Sequence, residues 1–330
     1  MTVLLIFFPL CIGLLLFLLR PAKAHWWALL AAMLECLFSI VVAFDFNPAS
    51  GTQFDFNTPW LRSIGLHFSV GIDGINLPLI LLTNVLVPFI ILSSFPGAPT
   101  KPAAFYGLIL VMQMALVGVF TAYDGLLFYL FWEAALIPIY FICLIWGGED
   151  RGRITFKFFI YTLGGSLFML VALIYLYLQT PGTHTFAMEA LYQAGRTLPA
   201  YEQGLIFWAL FVAFAIKMPV FPFHTWQPDT YTVAPAQGTM LLSGIMLKMG
   251  VFGLIRWLLP VVPVGVAQWH FTATLLSVIG VVYASCMALV QKDFKRLVAY
   301  SSIAHVGLIA AGLLTGTIIG VQGAMIQMVS

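Results

Sequence analysis

Long apolar stretches of this sequence contain the ionisable side chains Glu133, Lys217, Lys248 and His305. At a rise of 1.5 Å per helical residue, Glu133, Lys248 and His305 lie about 12–18 Å from the ends of their stretches, near the middle of a lipid bilayer. A charge at that depth costs about 2.5–3.5 kcal/mol on insertion scales, so such residues are functional sites by default.

The chemistry that these groups share is proton binding. Burial favours the uncharged amine of a lysine, whereas a neighbouring carboxylate favours the ammonium. A change in the influence of Glu133 would therefore switch a lysine between holding and releasing a proton. The imidazole of a histidine changes charge near neutral pH and can relay that proton. Together the residue types predict a chain of groups that passes protons.

Two simpler interpretations stay open. Glu133 and one lysine can form a structural ion pair that only fixes helix packing, but this would leave the second lysine and His305 unexplained. For His305 alone, a hydrogen-bonded core histidine explains the residue equally well.

The segment around Lys217 carries a second signal, because Pro219, Pro222 and Pro228 follow closely. Proline cannot continue a helix without freeing backbone carbonyls. In a membrane such a break is tolerated only where it is buried or lines a hydrated cavity. We therefore predict a helix break beside Lys217, with His224 and Asp229 as further polar groups of the same segment.

The whole chain is built from apolar segments long enough to cross about 30 Å of hydrocarbon. We predict helices at 2–19, 25–44, 74–95, 103–122, 125–146, 155–179, 204–221, 236–256, 269–290 and 297–315, with an eleventh from about 317. The connections 45–73 and 180–203 are expected to fold as capping loops. Residues 1–330 thus form one membrane domain. Because the chain stops inside an apolar segment, we expect the natural protein to continue further.

Composition excludes several classes of protein. Only 8% of the 330 residues are charged and 62% are hydrophobic, whereas a soluble domain is about 25% charged. The net charge of +2 and the lack of a basic stripe argue against nucleic-acid binding. No C-x-x-C pair is present, so we expect buried free thiols rather than a metal site or disulfides.

Basic residues indicate the orientation, because cytoplasmic loops are enriched in lysine and arginine. One side of the predicted topology carries eight, namely Arg20, Lys23, Lys101, Arg151, Arg153, Lys292, Lys295 and Arg296. The other side carries Arg62, Arg196 and Arg256. The N-terminus is therefore expected on the outside, which in a bacterium is the periplasmic side of the inner membrane.

Five blocks of sequence resemble the antiporter-like membrane subunits of proton-pumping NADH:quinone oxidoreductase, respiratory complex I. They are 131–138 (FWEAALIP), the Lys217 segment ending in HTWQPD at 229, 293–302 (DFKRLVAYSS), 70–75 (VGIDGI) and 323–328 (GAMIQM). With the last two blocks, the sequence is most similar to the subunit M branch, which includes mitochondrial subunit 4.

This resemblance implies an all-α polytopic membrane fold with two inverted repeats of five helices, each containing one broken helix. Residues 1–95 would form three N-terminal helices, 103–256 the first repeat with the break at Lys217, and 269–330 an incomplete second repeat. By the same resemblance, Glu133 modulates Lys217, Lys248 is the central relay, and His305 continues towards the outside.

The resemblance also implies the partners. No prosthetic group is expected in this chain, whereas FMN, iron–sulfur clusters and quinone belong to partner subunits of a hetero-oligomeric complex. The chain would contact neighbouring antiporter-like subunits and lipids. The chain itself would perform no redox chemistry, and it would act as part of a proton-translocating enzyme.

Two features depart from the family pattern. The residue through which protons leave lies on the second broken helix, which this chain does not reach. Residues 227–231 read Gln-Pro-Asp-Thr-Tyr where the family usually has Leu-Pro-Asp-Ala-His, so Tyr231 replaces the histidine to which the resemblance would assign a relay role.

Two other functions remain as alternatives. A subunit of a multisubunit Na⁺/H⁺ antiporter or of a membrane-bound hydrogenase would share Glu133, Lys217 and Lys248. A purely structural scaffold would also tolerate packing charges, but the predicted helix break at Lys217 argues against it.

Overall fold

The computed structural model describes residues 1–97 and 99–329, and most of them are helical. The helices are α1 (Thr2–Leu19), α2 (Ala24–Asp45), α3 (Leu77–Leu92), α4 (Pro102–Thr121), α5 (Gly125–Trp146), α6 (Arg151–Leu178), α7 (Met188–Thr197), α8 (Ala200–Lys217), α9 (Gln227–Val233), α10 (Ala236–Val261), α11 (Pro263–Leu289), α12 (Phe294–Leu314) and α13 (Ile318–Val329). The strands are β1 (Gln53–Leu61) and β2 (Leu66–Ile72).

Nine helices of the described residues are long and apolar enough to cross a membrane, and α3 and α13 are shorter apolar helices. Helices dominate because lipid offers no partner for a backbone N–H or C=O, so each span must satisfy these groups internally. The prediction of an all-α polytopic membrane protein is confirmed. The seventh predicted segment, 204–221, ends earlier, at Lys217.

The connection between α2 and α3 is a β-hairpin rather than the predicted loop. β1 and β2 pair antiparallel, with two register irregularities. Leu66, Val70 and Ile72 of β2 are buried, whereas most of β1 is exposed. Aromatic and β-branched residues suit such a pleated, half-buried surface. The second predicted loop, 180–203, contains the short helix α7.

The chain divides into two compact units. The first contains 1–62, 66–151 and 234–245, and the second contains 63–65, 152–233 and 246–330. In the first unit, α1 packs closely on α4, because a Cβ on Gly13 would lie 3.0 Å from the carbonyl oxygen of Gly107. The inverted repeats predicted at 103–256 and 269–330 are defined by internal symmetry and not by compactness, so they stay a prediction.

All four cysteines are free, as expected, but they are not all buried. Cys143 is buried and Cys36 is half-buried, whereas Cys11 and Cys286 are exposed. An apolar sequence does not separate lipid-facing from core positions, since lipid is as apolar as the protein interior.

Candidate functional site

Lys217 is the last residue of α8, and its side chain is only 3% exposed. Its position follows from the sequence, because Pro219 and Pro222 cannot supply the N–H groups that would continue the helix. The carboxyl end of a helix carries a partial negative charge, which favours an ammonium there. The local structure therefore makes a buried lysine at this place tolerable.

The interruption between α8 and α9 is an ordered one. The amide of Val220 donates to the carbonyl of Ala215 at 2.8 Å. The indole N–H of Trp226, a fully buried side chain, donates to the carbonyl of Ile216 at 2.9 Å. A carbonyl that the helix end leaves free is thus paired, as the cost of burying an unpaired polar group requires. The predicted break beside Lys217 is present, four residues before the expected end of its segment.

His224 lies within the break and is buried between two rings. Its imidazole stacks on Phe221 with ring centroids 5.6 Å apart, and it meets Tyr283 of α11 edge-on at 5.1 Å. Its Nδ1 has no hydrogen-bonding partner among the residues described. A buried ring nitrogen without a protein partner is suited to binding water.

Asp229, in the first turn of α9, joins three helices of the second unit. Its carboxylate lies 3.2 Å from Nζ of Lys157 on α6 and 2.8 Å from Nη2 of Arg296 on α12. In the sequence, Arg296 looks like a solvent-exposed residue at the end of an apolar segment. Neither its spacing from Asp229 nor the local composition therefore connects the two residues. Only packing brings these residues together, since they are far apart in the chain.

Tyr231, on the next turn of α9, is fully buried. The tyrosine thus places a polar group at the position where the family usually has a histidine, but a hydroxyl does not change charge near neutral pH.

Lys248 lies on α10 between two π-helical turns, Leu242–Met246 and Leu254–Leu258. Such turns occur frequently at functional sites because they redirect the side chains around them. Two residues further on, a Cβ on Gly250 would lie 2.9 Å from the carbonyl oxygen of Phe214. The glycine therefore lets α10 approach the carboxyl-terminal turn of α8 at backbone distance. Hydropathy gave no sign of the π turns.

His305, on α12, is exposed to a cavity of about 350 Å³ that Ser285 and Ser301 also line. Its Nδ1 lies 3.3 Å from Nε2 of Gln327 on α13. The histidine is therefore exposed rather than sealed in a core, and four apolar side chains line the same cavity, namely Val281, Ala288, Ala304 and Leu308.

Glu133 lies on α5 in the first unit and is half-buried, whereas Lys217, Lys248 and His305 belong to the second unit. Helix α5 runs through Pro138 without interruption from Gly125 to Trp146. Pro138 therefore leaves α5 continuous, whereas the prolines after Lys217 end α8.

Glu35 is a buried carboxylic acid that is not among the residues predicted from the sequence. It lies in the middle of α2 and is 1% exposed. The rule that identified Glu133, an ionisable residue deep inside an apolar segment, would have found it in the segment 25–44. Among the described residues, no group of His, Cys, Asp or Glu could hold a metal ion.

Comparison with known proteins gives consistent matches. The family described as "NADH:quinone oxidoreductase/Mrp antiporter, TM" matches residues 122–330. NADH-quinone oxidoreductase subunit M of Rickettsia conorii (strain ATCC VR-613 / Malish 7) is 40% identical over 314 residues, which is 94% of this chain and 63% of that protein. The chain therefore spans less than two thirds of that relative.

Two solved structures share the fold. A chain of respiratory complex I from Thermus thermophilus with bound NADH matches with a TM-score of 0.91 and 32% identity, covering 100% of this chain and 68% of that one. A chain of the Mrp complex from Dietzia sp. DQ12-45-1b matches with a TM-score of 0.87 and 19% identity, covering 99% and 36%. At that identity, the second match speaks for the fold alone.

Proposed function

Because the chain belongs to the NADH:quinone oxidoreductase/Mrp antiporter transmembrane family, we propose that it is a proton-translocating membrane subunit of NADH:quinone oxidoreductase. The protein works within a hetero-oligomeric complex whose partner subunits hold FMN, iron–sulfur clusters and the quinone site. It lies in a bacterial inner membrane with its N-terminus on the periplasmic side.

One observation carries the proposal: a lysine buried at the end of an interrupted helix. Lys217 is 3% exposed, and the helix after it is replaced by an ordered segment with polar side chains. A rigid structural core has no need of a break beside a buried ammonium, whereas an ion pathway needs polar groups and room for water.

In the proposed mechanism, Nζ of Lys217 holds a proton while the charge of Glu133 favours the ammonium. When that influence weakens, the neutral amine becomes favoured and the proton moves on. Lys248 receives it as the central relay, and His305 passes it towards the outside. Pro219 and Pro222 keep α8 short.

Two further residues of the break support this path. His224 offers a buried ring nitrogen beside the interruption, and Asp229 ties α9 to α6 and α12 through Lys157 and Arg296. Electron transfer in the partner subunits drives the cycle through charge and conformational changes. This chain itself performs no redox step.

The test is the variant Lys217→Met in native membranes. NADH oxidation is measured once with quinone and once with an artificial electron acceptor, and proton uptake is measured alongside. We expect quinone-linked turnover and pumping to fall about tenfold or more, because positioned proton-transfer groups contribute about 10²–10⁴-fold. Activity with the artificial acceptor should be kept. Unchanged NADH-driven pumping would remove Lys217 from the path.

Two companion variants separate proton transfer from structure. Lys217→Arg keeps the charge but cannot release a proton, so it should lose pumping as Lys217→Met does. Recovery by arginine would indicate a structural ion pair instead. Lys292→Met, at an exposed position outside the spans, is the matched control and should leave pumping unchanged.

A second candidate function is Na⁺/H⁺ exchange within a multisubunit antiporter, favoured by the family match, whose description also includes the Mrp antiporter. It predicts proton movement driven by a sodium gradient in vesicles without NADH. Its absence there, together with NADH-driven pumping, would leave the first function.

A further inference from the structure

Three helices of the first unit each bury a polar side chain that the proton path does not use. Glu35 on α2 is 1% exposed, and Asn84 on α3 and Gln113 on α4 are fully buried. The two amides are joined, since Nε2 of Gln113 donates to Oδ1 of Asn84 at 2.8 Å. One atom of each residue has no protein partner among the described residues, namely Oε1 of Glu35, Nδ2 of Asn84 and Oε1 of Gln113.

These three residues lie at a similar depth. Glu35 and Gln113 each lie eleven residues beyond the first residue of their helices, which is about 16 Å along the axis. Asn84 lies eight residues before the end of α3, about 12 Å from the same face when consecutive spans alternate in direction. Each of the three helices packs against the other two.

The chemistry of the unpaired atoms indicates what they bind. A carboxylate in an apolar interior is strongly disfavoured unless it is paired, so the neutral acid is the stable form there. A cation would need oxygen ligands alone, whereas Nδ2 of Asn84 is a donor. A water molecule can accept from the acid or from Asn84 and donate to Oε1 of Gln113. The acid of Glu35, the donor of Asn84 and the acceptor of Gln113 therefore suit a protonated carboxyl group that is hydrogen-bonded to water.

We propose that Glu35 is a second proton-binding site of this subunit, protonated at neutral pH and linked by water to the Asn84–Gln113 amide pair. The site lies outside the path through Lys217 and does not depend on it. The proton exchanges with solvent through that water, which distinguishes the site from a sealed structural acid.

The test is the infrared spectrum of the assembled complex, compared between wild type and Glu35→Gln at neutral pH. The wild type should show a carbonyl-stretching band of a protonated carboxylic acid that the variant lacks. The band should shift on transfer to D₂O within the time of an ordinary exchange experiment. Gln113→Leu removes the amide acceptor, so it should move the band to higher frequency.

Two outcomes would overturn the proposal. Identical spectra would mean that Glu35 is ionised, and a band insensitive to D₂O over hours would mean a sealed acid. Glu189→Gln, which removes an exposed carboxylate of α7, should leave the band unchanged. If Glu35→Gln does not assemble, Glu35→Asp keeps the acid and should shift the band. The band should persist in Lys217→Met, so this test stands apart from that of the proposed path.

Discussion

At the scale of single residues, the buried lysine depends on the groups that complete the end of its helix. The carbonyl of Ile216 would be an unpaired acceptor in the interior without the indole of Trp226. Asp229 contributes less to stability than its two ion pairs suggest, because Lys157 and Arg296 are 47% and 43% exposed and such pairs are worth about 0–1 kcal/mol each. The indole is therefore the stronger determinant of the break.

Trp226→Phe should weaken the break while keeping an aromatic ring in place. The lost hydrogen bond leaves a buried carbonyl unpaired, which costs about 1–3 kcal/mol. We expect a lower temperature of half-inactivation for quinone-linked turnover in membranes. Trp60→Phe, at an exposed tryptophan of the hairpin, is the control and should not change it. Equal stability of the Trp226 variant would show that the indole does not hold the helix end.

At the scale of elements, the helix contacts around Lys248 depend on missing side chains. Gly250 lets α10 meet the end of α8, and the flanking π turns set the direction of the side chains between them. A close approach of backbones at small residues is a common way for membrane helices to associate, since no hydrophobic force acts between spans in lipid.

Gly250→Ala should separate α10 from the end of α8. The new Cβ would lie 2.9 Å from the Phe214 carbonyl oxygen and 3.0 Å from Cβ of Met218, and such overpacking costs about 1–3 kcal/mol. Quinone-linked turnover and thermal stability should both fall in the assembled complex. Gly164→Ala in α6 is the matched control, because nothing lies within 4 Å of its new Cβ. A similar loss in both variants would contradict the explanation.

Asp124 is the N-cap of helix α5, and its carboxylate accepts from the amides of Leu126 and Leu127 and from that of His67. Burial raises the pKa of this carboxyl to about 6, and the hydrogen bonds offset only part of that effect. The folded protein therefore binds the proton more tightly than the unfolded chain, where the carboxyl has its ordinary pKa of 3.8. This stabilisation is complete below that value and is lost as the pH rises to about 6.

Asp124→Asn should remove this pH dependence while keeping a good N-cap. When the pH is raised from 5 to 7, the wild type should lose more thermal stability than the variant, because the carboxyl of Asp124 gives up its proton over this interval. Half-inactivation temperatures of both proteins at the two pH values provide the measurement. An equal change in half-inactivation temperature for the two proteins would mean that Asp124 titrates as it does in the unfolded chain.

At the scale of the whole molecule, the excess of basic residues on one side predicts the orientation. Ser50, in the connection before β1, is expected outside, and Lys292, in the connection before α12, is expected in the cytoplasm. In a variant without native cysteines, Ser50→Cys should react with a membrane-impermeant maleimide in spheroplasts. Lys292→Cys should react only after permeabilisation. The reverse pattern would invert the topology.

The sequence by itself determined the class of protein, the number of apolar segments and the break after Lys217. These properties are local, because hydropathy over some twenty residues and the missing N–H of proline act within one segment. The resemblance to complex I antiporter-like subunits, drawn from a few ordered motifs, is confirmed by the family match. The roles of Glu133, Lys217, Lys248 and His305 stay predictions.

Only the tertiary structure decided which residues meet across segments. Asp229 reaches Arg296, Gly250 meets the end of α8, and Gln113 donates to Asn84. Hydropathy contains no information on these contacts, because a lipid-facing helix face and a core-facing one are equally apolar. Two cysteines that were expected inside are exposed for the same reason. The hairpin that replaces the expected loop likewise depends on packing between segments, which hydropathy does not describe.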